Sequence, residues 1–433
     1  MSADFNILIA GGGTGGHLFP GIAVAEELRR RVRDVGVSFV GTERGIESRV
    51  LPKLGERLDL LDVTPLQGRT PLALLESLMK LPAAYTRALS ILAERKPAVV
   101  LGVGGYASGP MLLAAWTKGI PIALLEQNAV LGLTNRVLAP LVGRAYLTFD
   151  ATAATFGPRA RVVGNPVRRS FVDATRLAQT DPEGFEARAR KILVIGGSQG
   201  ARKLNEAIPS ALARLAPVGS SFEIVHQTGA AMRDEVAAQY ASLGVSAEVV
   251  PFIDDMARAY AGAMLVIARA GATTLAELTA VGRPSVLVPY PFAAEDHQSK
   301  NAEELARAGA AIAIREDQLD DETLDRALGG LLSSPDRRRA MAAAARRLGR
   351  PDAAAAVVDD LFAWLAVSGA SVAGETPVRP PPDGSLLRTT ESAPRATIDF
   401  RAGRDELVLR RSPRSPVPPA RLVPLRRPRS LPV

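Results

Sequence analysis

Residues 11–17 read Gly-Gly-Gly-Thr-Gly-Gly-His, between an apolar run (Ile7, Leu8, Ile9, Ala10) and a helical pattern. A strand that ends in glycines and turns into a helix start presents several backbone N–H groups to whatever sits there. Together with the helix dipole, that arrangement suits a phosphate or another anion. Gly11, Gly13 and Gly16 also satisfy the G-x-G-x-x-G spacing of a dinucleotide fold. Two readings are open at this point, a nicotinamide enzyme or something else that holds phosphates, and His17 points to the second.

A chain of 433 residues suggests two domains, with room for a tail. At 47% hydrophobic and 23% charged residues its composition is that of a soluble globular protein. Cys is absent, which excludes disulfides, thiolate metal sites and thiol nucleophiles and fits a reducing compartment. His17, His226 and His297 show no ligand spacing, so no metal site is expected. The N-terminus enters a strand directly, without the basic segment or cleavage site of a signal peptide. Pro97–Thr117 carries no charge, but its glycines and Pro110 divide it into a buried strand, a loop and a helix, not a membrane span. From Val367 onward twelve Arg face six acidic residues, leaving the body only about +2 of the formal +8. No nucleic-acid footprint is indicated there.

Short aliphatic strands alternate with helical segments in the first half. Strands are expected at Asn6–Ala10, Val37–Gly41, Ala98–Val103, Ile122–Leu125 and Ala145–Thr148, with helices at Pro20–Arg33, Leu72–Leu92 and Gly109–Lys118. The pattern restarts with strands at Lys191–Ile195, Phe222–His226, Leu265–Ala268 and Ser285–Pro289, and helices at Lys203–Leu215 and Thr273–Val281. This predicts an α/β protein of two Rossmann-like parallel sheets, residues 1–163 and 164–366, with a Pro/Arg-rich tail, 367–433, that is disordered by composition. The tail reads as a solvated extension, with a polybasic, lipid-adhering segment as the alternative.

Three glycine loops follow strands: Gly11–Gly16, Gly102–Gly109 and Gly196–Gly200. Ligands bind at the carboxyl ends of strands in open α/β sheets, so three loops over two halves favour a cleft between them. Arg269–Glu277 follows another strand, where Glu277 can accept two ribose hydroxyls or simply satisfy the dipole. The polar cluster Glu295–Asn301 reads as a sugar-recognising loop.

Many of these segments, in order, resemble one family. They are Gly-Gly-Thr-Gly-Gly-His (12–17), Gly-Gly-Tyr-Ala-Ser-Gly-Pro (104–110), Glu-Gln-Asn (126–128), Gly-Asn-Pro-Val-Arg (164–168) and Gly-Gly-Ser-Gln-Gly-Ala-Arg (196–202). His-Gln-Thr-Gly (226–229), Phe-Ile-Asp-Asp-Met (252–256), Arg-Ala-Gly-Ala-Thr-Thr-Leu-Ala-Glu (269–277) and His-Gln-Ser-Lys-Asn-Ala (297–302) complete the set. The chain is similar over residues 5–365 to the MurG family of peptidoglycan synthesis. The resemblance implies a GT-B glycosyltransferase with UDP-GlcNAc on the second domain and the lipid-linked acceptor, lipid I, on the first. It also implies an inverting reaction, no cofactor, and work at the cytoplasmic face of the bacterial inner membrane. Anionic lipid and other cell-wall synthesis proteins are expected partners, and nucleic acid is not.

By motif, Ile253 would meet the uracil through its backbone and Glu277 the ribose. Ser198, with the helix start Ala272, Thr273 and Thr274, would hold the diphosphate, and Arg168 would approach the nucleotide near the hinge. Gln298 and Asn128 would read the GlcNAc hydroxyls, while Thr14, Gly15 and Gly16 would close over the reacting sugar. His17 is the first choice for the base and Glu126 the second. No D-x-D metal motif occurs, so a helix N-terminus with Ser198 would neutralise the leaving group. Leu72, Leu75, Leu78, Met79 and Leu81, with Lys80 and Arg87, could form a membrane patch that Met111, Leu112 and Trp116 extend; a core-facing helix is the alternative. The competing assignments are another lipid-directed GT-B transferase, a dehydrogenase, and a membrane-docked nucleotide-sugar-binding scaffold.

Overall fold

The computed structural model describes residues 5–32, 34–64, 71–197, 200–215, 222–293 and 296–367, with only the backbone at 71–74. Ser198, Glu295, the Leu72 side chain and the tail after Val367 lie outside the described residues.

Near-continuous aliphatic runs make strands that are buried on both faces, which requires helices above and below a parallel sheet. The first sheet contains β1 (Phe5–Ala10), β2 (Val35–Gly41), β3 (Leu58–Leu60), β4 (Val99–Gly102), β5 (Ile122–Glu126), β6 (Arg144–Leu147) and β7 (Ala160–Val162). Its order is β3-β2-β1-β4-β5-β6-β7, and each pairing is parallel, with Ile9 opposite Phe39 on one side and Leu101 on the other. Helices α1 (Gly15–Arg31), α2 (Glu47–Val50), α3 (Pro71–Met79), α4 (Leu81–Arg95), α5 (Ser108–Thr117) and α6 (Leu133–Leu138) accompany it.

The second sheet repeats the plan with β8 (Lys191–Ile195), β9 (Glu223–Gln227), β10 (Glu248–Val250), β11 (Ala263–Ala268), β12 (Ser285–Leu287) and β13 (Ile312–Ala313). These run parallel in the order β10-β9-β8-β11-β12-β13. Its helices are α7 (Arg169–Thr180), α8 (Pro182–Ala187), α9 (Arg202–Leu215), α10 (Arg233–Ser242), α11 (Met256–Ala261), α12 (Ala272–Val281), α13 (His297–Arg307), α14 (Asp321–Leu332) and α15 (Pro335–Leu348), followed by α16 (Ala353–Val367). Both sheets belong to one compact unit. The strand order reverses between β1 and β4, and again between β8 and β11, and those switch points are where crevices form.

Three expectations need correction. The helix expected at Leu72–Leu92 is two, α3 and α4, divided at Lys80, because Pro82 suits a first turn and not a helix interior. Met111 and Leu112 are fully buried in the first domain's core and belong to no surface patch. Helix α16, which a boundary at 164–366 assigns to the second domain, packs on the first: Val357, Val358, Leu361 and Leu365 share a core with Ile7, Ile9 and Leu28. Asp360 anchors that crossing by accepting from Arg144 Nε at 3.2 Å, Tyr146 Oη at 3.2 Å and Arg161 Nε at 2.9 Å.

Candidate active site

The first two glycine loops occupy the β1/β4 switch point and interlock. Gly11, Gly12 and Gly13 have φ of 151°, 143° and 89°, and Gly104 and Gly105 have 89° and 80°. Each loop packs on the other's backbone: a Cβ on Gly11 would lie 2.3 Å from the Gly104 carbonyl oxygen, and one on Gly105 would lie 2.3 Å from that of Gly12. Positive φ and this close approach together admit only glycine.

A residue that sequence reasoning passed over holds the loop in place. Glu47, fully buried, accepts from the Gly13 N–H at 2.7 Å, the Thr42 N–H at 2.8 Å and the Thr42 hydroxyl at 3.0 Å. Gly12, Gly41 and Gly45 surround its carboxyl so closely that a Cβ on any of them would come within 2.4 Å of a Glu47 side-chain atom. The available signal was an acid following two glycines just past the second strand, the place where dinucleotide folds keep a ribose acid. Here the carboxylate turns inward and takes up backbone donors.

His17 lies in the first turn of α1, with Thr14 as N-cap. Its Nδ1 is 3.3 Å from Thr14 Oγ1, and a Cβ on Gly104 would lie 2.7 Å from its Cδ2 and 3.1 Å from its Nε2. Burial lowers the imidazole pKa below its usual value; the Glu126 carboxylate and a hydrogen bond to the Gly12 backbone oppose that shift. The ring is therefore neutral near pH 7 and able to accept a proton. His17, Glu126, Asn128 and His297 line one cavity of about 490 Å³. Its apolar wall runs from Leu81 and Tyr85 on α4 across Leu113 on α5 to Leu133, Val137 and Leu138 on α6.

Glu126, the second candidate for the base, is buried and already engaged. It accepts from the Asn128 N–H at 3.0 Å, the Gly132 N–H at 3.1 Å, and the side-chain amides of Asn135 at 2.9 Å and Asn128 at 3.4 Å. A carboxylate held by four donors organises the loop around it. The Asn128 amide is thus oriented by Glu126 at the edge of the same cavity.

Across the cleft, α12 starts after Gly271, an N-cap with no side-chain cap, at Ala272, Thr273 and Thr274. Thr273 Oγ1 donates to the Gly16 carbonyl at 3.1 Å, so the helix starts of the two domains meet at the loops. Glu277, buried one turn farther, accepts from Arg168 Nη2 at 3.2 Å, and the Arg168 guanidinium stacks 4.3 Å from the Phe19 ring centroid. Burial raises the Glu277 pKa to about 7, with Arg168 pulling it back. Gln298, at the start of α13, accepts from the Tyr290 N–H at 3.1 Å, and the Ile253 N–H donates to Gln227 Oε1 at 3.1 Å. The structure thus joins Thr14 to His17, Gly16 to Thr273, and Arg168 to Glu277, while Gln298 and Ile253 are tied to other residues of the second domain.

Leu75, Leu78 and Met79 on α3 and Trp116 on α5 are exposed, and Lys80 Nζ pairs with Asp62 at 2.8 Å. Among the described residues no helix is long and apolar enough to cross a membrane.

Residues 7–147 match the glycosyltransferase family 28 N-terminal domain, and residues 191–357 match the glycosyltransferase family 28 C-terminal domain. The chain is 49% identical, over 82% of its length and 91% of the relative's, to the UDP-N-acetylglucosamine–N-acetylmuramyl-(pentapeptide) pyrophosphoryl-undecaprenol N-acetylglucosamine transferase of Myxococcus xanthus. The crystal structure of Acinetobacter baumannii MurG superposes with a TM-score of 0.66 at 33% identity, over 83% of this chain and 99% of that one. A Neisseria meningitidis UDP-GlcNAc 2-epimerase shares the fold, with a TM-score of 0.57 at 14% identity, over 83% of this chain and 100% of that one. The two-sheet architecture is GT-B, and the chain belongs to glycosyltransferase family 28 and, within it, to the MurG family of N-acetylglucosaminyltransferases.

Proposed function

We infer that the chain transfers GlcNAc from UDP-GlcNAc to the C4 hydroxyl of MurNAc in lipid I, undecaprenyl-diphosphoryl-MurNAc-pentapeptide, and yields lipid II. The observation that carries this reading is the cavity where His17 stands beside the meeting helix starts of both domains, in a chain of the MurG family. Neutral His17 takes the proton of the C4 hydroxyl as its oxygen attacks the anomeric carbon from the face opposite UDP. The anomeric C–O bond breaks, configuration inverts, and UDP departs with the bonding pair. The N–H groups of Ala272, Thr273 and Thr274, with Ser198, take up charge on the diphosphate, as helix N-termini do. Thr14, Gly15 and Gly16 close over the sugar, whose hydroxyls Asn128 and Gln298 read.

Glu277 accepts the ribose hydroxyls in place of Arg168, and Ile253 meets the uracil through its backbone. Only the carboxylate form accepts from both hydroxyls. With a folded pKa of about 7, Glu277 binds a proton below that pH, so KM for UDP-GlcNAc falls as pH rises from 6 to 8. In Glu277→Gln the KM is higher and flat with pH; steady-state kinetics at fixed, saturating acceptor checks both. Stability responds in the opposite sense: the raised pKa contributes most at low pH and that contribution fades as pH rises through about 7.

The acceptor's polyprenyl chain brings the enzyme to the inner face of an anionic bilayer through Leu75, Leu78, Met79 and Trp116, with Lys80 at the rim. Burial of one such side chain is worth about 1.5–3 kcal/mol. Leu75→Glu with Met79→Glu removes two such side chains and therefore lowers vesicle partitioning by on the order of a hundredfold or more. UDP binding should not change. Flotation with vesicles containing anionic lipid measures the first, and calorimetry the second.

A thermal-shift comparison tests the donor assignment. UDP-GlcNAc at a hundred times its Kd should stabilise the chain by about 2.7 kcal/mol, while NADH leaves the transition unmoved. Protection by NADH and not by UDP-GlcNAc would end the transferase reading in favour of a dehydrogenase.

A further inference from the structure

Gln227 ends β9 with its side chain buried, and nothing in the reaction above uses it. Its Nε2 donates to the Gly197 carbonyl at 3.0 Å, and its Oε1 accepts from the Ile253 N–H at 3.1 Å. Its own backbone carbonyl accepts from the Gly196 N–H at 3.1 Å. Gly196 and Gly197 follow β8, Ile253 follows β10, and β9 lies between those strands in the sheet. One amide therefore spans the two flanking strand ends from the strand between them. Donation to one loop and acceptance from the other need a donor and an acceptor on a single planar group, which the carboxamide supplies. Gly197, at φ 79°, has open space where a side chain would be, as a loop that admits a ligand should.

We propose that Gln227 is a positioning residue that fixes the distance between the phosphate-holding loop after β8 and the base-reading backbone at Ile253, so that the second domain selects a nucleoside diphosphate by its length. The proposal rests on the donor-site reading above. Gln227 touches neither base nor phosphate; it acts through Gly197 and Ile253. Losing it leaves each loop able to meet its own part of the ligand but out of register with the other.

The test uses the full chain and two variants, Gln227→Met and Gln227→Glu, titrated calorimetrically with uridine, UMP and UDP. In the wild type, affinity rises from uridine to UDP. In Gln227→Met that rise shrinks by about tenfold or more while uridine alone changes less than roughly threefold, because only the coupling of two loops is lost. KM for UDP-GlcNAc rises by about the same factor with kcat nearly unchanged. Gln227→Glu supplies a rescue that a purely structural role would not show. Protonated, its carboxyl donates to the Gly197 carbonyl and accepts from Ile253; ionised, it cannot donate. Relative to wild type at the same pH, this variant should recover UDP affinity at pH 5.5 and lose it at pH 8. Equal weakening of uridine, UMP and UDP without acid rescue, or no change in any, overturns the proposal. A wild-type chain that binds none of the three overturns the donor-site reading first.

Discussion

His17→Ala lowers kcat by roughly 10²- to 10⁴-fold, the usual contribution of a positioned general base, and leaves the Kd for UDP-GlcNAc unchanged. The split follows from geometry. His17 stands on the first domain, with Nε2 beside Gly104 and the cavity, whereas the residues assigned to the nucleotide stand on the second. Burial keeps the imidazole below its ordinary pKa, so wild-type kcat should hold a plateau near pH 7 and acquire an acid limb only below 6.5. The limb should vanish in the alanine variant. Glu126→Gln separates the two candidates for the base. Its carboxyl serves four donors in the loop that carries Asn128, so the variant should raise KM and lower stability without removing the acid limb. Rate measurements across pH, at saturating donor and acceptor, decide between them.

Glu47→Ala is the second large effect, and it is first an effect on folding. The carboxylate accepts two backbone N–H groups and a hydroxyl in a site with no access to water. Alanine leaves those donors without partners and a hole the size of the carboxyl group. Orphaned buried donors cost about 1–3 kcal/mol each, and the sum over the three is on the order of 3–9 kcal/mol. For a chain of this size that corresponds to a fall in Tm of roughly 4–12 °C. The Gly11–Gly13 loop loses its tether to the strand-end loop of β2, so kcat falls as well, through displacement of Thr14 and His17. Glu47→Gln keeps one acceptor but turns an NH₂ toward an N–H donor, so its loss should be smaller in stability and still clear in rate. Thermal unfolding and turnover of both variants, measured on the same preparations, give the comparison.

How far the sequence reached depended on whether a signal was local. Strand β1, the glycine loop, β8 and α12 follow from a few adjacent residues and stand where periodicity and glycine placement put them, whereas α1 begins at Gly15, more than a turn before the expected Pro20. The short strands β3, β7, β10 and β13 were not anticipated, because two or three residues at a sheet edge carry no usable period. Helix α16 has an apolar stripe that reads as core, but nothing local says whose core; only the tertiary structure shows it covering β1 and α1. The same reason hid Glu47 and Gln227. An acid near glycines and a glutamine at a strand end look ordinary until the loops they join are brought together. Arg168 and Glu277, 109 residues apart, were each singled out for a nucleotide, and their ion pair shows the two assignments share one place.

In the proposed reaction this chain moves GlcNAc from UDP-GlcNAc onto lipid I at the cavity lined by His17. The most direct measurement incubates the full chain with UDP-GlcNAc labelled in the sugar, with and without lipid I, then extracts with butanol. Label should appear in a lipid whose new linkage is β-1,4, formed only when lipid I is present and reduced at least about a hundredfold in His17→Ala. Label released as free sugar, or recovered in lipid to the same extent without His17, would contradict it.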